Sequence, residues 1–135
     1  MNRIAALIVI FGTMTALTAL PAESRARKTF YISPAGNDNW SGTIRTPDKR
    51  GTDGPFATLG RAKEAVRALM ATGKPAGGVD VVIRGGQYPM TETFTLTSVD
   101  SGTKTAPVVW RSAPGETVQI VGGREVKGFG AVTDP

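Results

Sequence analysis

Of the eleven acids, those weighed as groups that could move protons at a substrate are Asp38, Asp48, Asp53, Asp80, Glu92, Asp100, Glu116 and Glu125. Hydrolysis of a glycosidic bond needs two carboxylates held roughly 5–10 Å apart across a cleft. No pair in this chain has a spacing that forces such geometry. The best placed, Asp38 with Asp53, sits in or beside turns, where Asp serves the backbone. The sequence has no His and no Cys. Ser/His/Asp and Cys/His nucleophile sets are therefore out of reach, and the side chain most often used for proton transfer near neutral pH is missing. A Ser–Lys arrangement stays formally open, but no spacing points to one.

Other chemistry-bearing motifs resolve in the same way. Asn37-Asp38-Asn39 could offer oxygens to Ca²⁺, but it lacks the Asp, Gly and Glu spacing of a calcium loop, and an Asx turn is the preferred reading. Asn39-Trp40-Ser41 matches a glycosylation acceptor that matters only in a eukaryotic secretory pathway. Gly85-Gly86 and Gly122-Gly123 are isolated pairs without a phosphate-loop pattern, and read as tight turns. Trp40 could stack on a sugar or pin its loop, and the second is preferred. Trp110 reads as a core residue rather than a sugar platform. No catalytic, cofactor-binding or metal-ligating residue is assigned to any position.

The elements that would position these groups begin after a leader. Met1-Asn2-Arg3 is a short positive start, Ile4 to Leu20 is apolar, and Ser24-Arg25-Ala26 offers small residues at a cleavage site. Residues 1–26 read as a secretory signal peptide, with no stable membrane insertion after cleavage. Their removal takes away Arg3, Glu23 and Arg25, leaving 109 residues with net charge +4. The basic residues are dispersed, which argues against nucleic-acid binding. An exported chain without Cys must rely on packing and ladder hydrogen bonds.

Thr29 to Ser33 reads as a strand, followed by a turn-rich stretch from Pro34 to Gly54. Thr58 is a suitable helix N-cap. Leu59, Ala62, Val66, Leu69 and Met70 recur at helical spacing, and Gly73 with Pro75 ends the helix. Full burial of Leu59, Val66, Leu69 and Met70 would contribute roughly 6–12 kcal/mol. Strands are then predicted at Val79–Arg84, around Phe94-Thr95-Leu96, at Pro107–Arg111 and at Thr117–Val121, with Gly122-Gly123 turning before Arg124-Glu125-Val126. Val81-Val82-Ile83-Arg84 echoes Val108-Val109-Trp110-Arg111 at an offset of 27, within the range of solenoid periods. Alternation predicts that Val81 with Ile83, and Val108 with Trp110, point inward.

The ordered set "FYISPAGNDNWSGT", "DGPFATLGRAKEAVRAL", "GGVDVVIRGGQY" and "SGTKTAPVVWRSAPGETVQIVGG" resembles the N-terminal section of secreted right-handed parallel β-helix proteins of the pectate-lyase-like superfamily, many of them glycoside hydrolases or polysaccharide lyases. The resemblance runs from Phe30 to about Phe129. It implies a mainly β fold: a cap over residues 27–78, made of a strand, a loop and one capping helix at about 58–71, then the first one to two coils over 79–135. It implies a polysaccharide or oligosaccharide substrate for the complete protein. Catalytic residues in such proteins generally sit on later coils, so none carries over, and no cofactor is implied at any position here. Solenoid coils need about three or more stacked repeats for stability, so the chain reads as the opening of a longer protein that is inactive alone. The rival readings are a non-enzymatic β-helix adhesin or polysaccharide-binding module, and a complete small β-rich domain.

Overall fold

The computed structural model describes residues 26–73, 75–123, 127–128 and 130–131. The signal-peptide reading, apart from Ala26, and the segment Arg124-Glu125-Val126 lie outside the described residues. The chain runs β1 (Lys28–Ile32), α1 (Leu59–Thr72), β2 (Val79–Ile83), β3 (Gly86–Pro89), a 3-10 turn (Ser98–Asp100), β4 (Val108–Ser112) and β5 (Val118–Val121). Among the described residues the fold is mainly β, with one α-helix and only parallel pairing between named strands.

Two sheets form. One has the order β1-β2-β4 and the other pairs β3 with β5. The β2–β3 unit therefore lies beside the β4–β5 unit, strand on equivalent strand. Val79 is opposite Val108 and Val81 opposite Trp110. The true offset in this sheet is thus 29, two residues more than the sequence echo suggested. A shift of two preserves side-chain parity, so the inward assignment survives the wrong register. In the second sheet Gly86 faces Val118, an offset of 32. The extra three residues sit in the bend between β4 and β5, which is longer than the bend between β2 and β3.

The inward residues of β1 and β2 make the core with the helix. Phe30, Ile32, Val79, Val81 and Ile83 are buried together with Phe56, Leu59, Ala62, Val66 and Tyr88. Helix α1 starts where Thr58 Oγ accepts a hydrogen bond from Arg61 N–H. Only Leu59, Ala62 and Val66 are fully buried on it, while Leu69 and Met70 are half-covered. The apolar gain from Leu59 and Val66 is then about 3–6 kcal/mol, half the sequence expectation. Val108 and Trp110 do point inward and pack on the core. They stay half-exposed because, among the described residues, no strand pairs with the other edge of β4.

Two expectations fail. The segment around Phe94-Thr95-Leu96 is not a strand. Its β-propensity is overridden by Asp100, whose Oδ2 accepts from Thr97 N–H at 2.8 Å and so starts the 3-10 turn instead. Conversely β3 was invisible, because Gly-Gln-Tyr-Pro is a poor strand sequence. Its pairing with β5 and the inward Tyr88, 3 % exposed with its hydroxyl donating to Arg84 C=O at 2.7 Å, hold it extended.

Candidate functional site

The long connection between β1 and α1 is built on Phe56. Phe56 C=O accepts from Ser33 N–H, and Phe56 N–H donates to Tyr31 C=O. Tyr31 N–H in turn donates to Gly42 C=O at 2.7 Å. These bonds occupy the outer edge of β1. Gly42 has φ +68°, and a Cβ there would strike the Phe56 ring, so glycine is required on both counts. Trp40 lies over Gly54, whose added Cβ would sit 2.5 Å from the indole. The indole therefore pins the loop, as the sequence suggested.

Asp38 sits at the head of α1. Its Oδ1 accepts from Ala57 N–H at 2.8 Å and Thr58 N–H at 2.9 Å, and its Oδ2 accepts from the Thr58 hydroxyl at 2.8 Å. A negative group at this point also complements the helix dipole. Asn37 Oδ1 accepts from Asn39 N–H at 2.9 Å, the predicted Asx turn. Asp53 accepts from Ser41 N–H and the Ser41 hydroxyl, both at 2.8 Å, and Asp48 holds Thr52 through its amide and hydroxyl. These contacts lower both pKa values. Ser41 N–H is the main cause for Asp53, and the Thr52 hydroxyl for Asp48. The pair proposed from sequence as the best acid–base candidate thus splits: Asp38 starts a helix and Asp53 ties the root of a loop.

Sequence reasoning missed three ion clusters because each depends on long-range register. Glu116 receives Arg84 Nε at 2.8 Å on both oxygens, Gly85 N–H at 2.6 Å and Arg45 Nη2 at 3.1 Å. The Arg84 guanidinium first, then the Gly85 amide, pull the Glu116 pKa down to about 2. Asp100, 4 % exposed, is gripped by Arg67 at 2.6 and 2.8 Å, which holds its carboxyl well below the ordinary range. Asp80 pairs with Arg27 at 2.9 Å and Arg111 at 3.2 Å. Nearby, burial pushes the Tyr88 phenol up to about 12. The one signal available in sequence was Asp80, a charged residue on the outward parity of a buried strand.

One concave surface lies along the start of α1 and β3. Two adjoining cavities of about 240 and 310 Å³ share Thr58, Leu59, Pro89 and Met90, and the second adds Lys63 and Glu92 at its wall. This groove offers an apolar floor with one ammonium, one carboxylate and hydroxyls, suited to contact rather than to bond cleavage. A calcium role for Asn37-Asp38-Asn39 does not fit: both Asp38 oxygens and Asn37 Oδ1 are already spent on protein donors. Among the described residues, no group of three or more acids, His or Cys gathers as a cation site.

No family model matches the chain. Among curated proteins it is 33% identical over 104 residues to Pectate lyase PEL9 of Emericella nidulans, across 77% of this chain and 20% of that protein. Among solved structures it superposes on a glycoside hydrolase with TM-score 0.66 and 32% identity, covering 77% of this chain and 16% of that one. The chain spans about a fifth of the length of the curated relative and less of the structural one. No helix among the described residues is long and apolar enough to cross a membrane.

Proposed function

We propose that this chain forms the N-terminal cap and opening coils of a right-handed parallel β-helix in a secreted carbohydrate-active protein. The complete protein cleaves glycosidic bonds of a polysaccharide, and this section supplies the rigid end of the stack rather than the chemistry. The observation that carries the reading is the placement of β2–β3 beside β4–β5 in two parallel sheets, together with relatives named as a pectate lyase and a glycoside hydrolase. The engagement of Asp38, Asp48, Asp53, Asp80, Asp100 and Glu116 in structural bonds supports a section without an acid–base pair. The test is to read and express the gene through its downstream sequence and assay a panel of polysaccharides. New reducing ends, with or without the ultraviolet absorbance of unsaturated uronides, support the proposal. A product that neither cleaves nor carries clustered Asp, Glu, Arg or Lys on one strand ladder points instead to an adhesin or binding module.

A further inference from the structure

Residues 43–53 form an excursion pinched at its root. Gly42 N–H donates to Gly54 C=O at 3.0 Å, and Ser41 holds Asp53. Its internal bonds run through Asp48, and its residues are exposed apart from half-buried Asp48 and Asp53. Such compact loops with close ends are packed by their own side chains and are frequently functional. Among the described residues, every hydrogen bond or ion pair from 43–53 to the body beyond residue 57 passes through Arg45. Its Nη2 donates to Glu116 at 3.1 Å, and its carbonyl accepts from Arg84 Nη1 at 3.3 Å.

We infer that residues 43–53 are a flap closed over the two strand bends by a single ionic latch, Arg45 on the Arg84–Glu116 pair. Gly42 and Gly54, both buried at the root, are the pivots. Opening uncovers the guanidinium and carboxylate at the bends 84–85 and 113–117. The Arg45 side chain is 56% exposed, so dissolved ions compete with the latch, and the flap opens as ionic strength rises.

Trypsin reads the open state at Lys49 and Arg50, which lie in the flap and are exposed. When opening is fast, the cleavage rate follows the open population. Between about 0.02 and about 0.5 M salt the screening length falls from roughly 20 Å to roughly 4 Å. Against an unstructured peptide control, cleavage of the wild-type protein after Lys49 and Arg50 should rise about fivefold over this range, in keeping with a weak surface pair. Arg45→Ala should be cut at the fast rate in both salts, with an unchanged circular dichroism spectrum. Arg111→Ala, which loses a different exposed pair, should behave as wild type. A salt-independent wild-type rate overturns the inference, as does an Arg45→Ala protein that is cut no faster than wild type at low salt. Glu116→Gln gives a second arm: it should match Arg45→Ala at these sites, and slow cutting of it at low salt also counts against the latch.

Discussion

Arg61 N–H donates to the Thr58 hydroxyl, which donates in turn to the Asp38 carboxylate, and this relay makes a quantitative prediction. Thr58→Ala removes the N-cap acceptor, costing about 1 kcal/mol. It also removes a hydroxyl donated to a carboxylate at 2.8 Å, a charge-assisted bond worth about 1.5 kcal/mol at the low end of its range. The sum, discounted because Thr58 is exposed, is about 2 kcal/mol. Asp38→Ala strips the acceptor from two amides and the hydroxyl together, with a dipole contribution of about 0.5 kcal/mol, and should cost about 2–3 kcal/mol. Both single variants break the shared bond, so the double variant should cost about 1 kcal/mol less than their sum. Urea unfolding at constant m-value measures all four corners of the cycle. Additivity within about 0.5 kcal/mol would refute the relay, as would a Thr58→Ala cost below about 0.5 kcal/mol.

Acid should weaken the fold in a defined window. Glu116 and Asp100 have folded pKa values below their unfolded ones, so their contribution is present above about pH 4.5 and fades as pH falls. For Glu116 the loss continues down to about pH 2, and Glu116→Gln should flatten that part of a Tm-versus-pH curve. Gly42→Ala combines a left-handed backbone with a clash on Phe56 and should cost about 2–4 kcal/mol in urea unfolding. Gly51→Ala, at φ +67° in open space, should cost only about 1–2 kcal/mol. Phe56→Ala should cost about 3–5 kcal/mol, since the ring is 1% exposed and meets Phe30 at 5.8 Å and the Arg61 guanidinium at 5.0 Å.

What the sequence made legible was whatever local rules decide. Thr58, Leu59, Ala62 and Val66 announce a capped amphipathic helix, and it is there. Alternation in β2 and β4 announces an inward face, and parity survived even though the echo misjudged the register by two residues. The register could not be read because the loop from Met90 to Pro107 sets it, and nothing local fixes how many residues that loop consumes. Phe94 to Leu96 misled because Asp100 captures the Thr97 amide from three residues away. The clusters around Glu116, Asp100 and Asp80 were illegible for a related reason: each joins residues more than thirty positions apart. At the candidate site, turn chemistry correctly foretold the Asx turn at Asn37. It gave no warning that Asp38 would serve the helix or that Lys63 and Glu92 would share a groove.

The occupied rim of β1 gives the molecule a polarity. Tyr31 and Ser33 have already spent their outward amides on Gly42 and Phe56, so a foreign extended peptide finds no docking rail on that flank. In the three-stranded sheet, the edge left without a strand partner among the described residues is therefore that of β4. This makes the β1 flank a safer place than the β4 edge to attach a tag, a surface or a fusion partner.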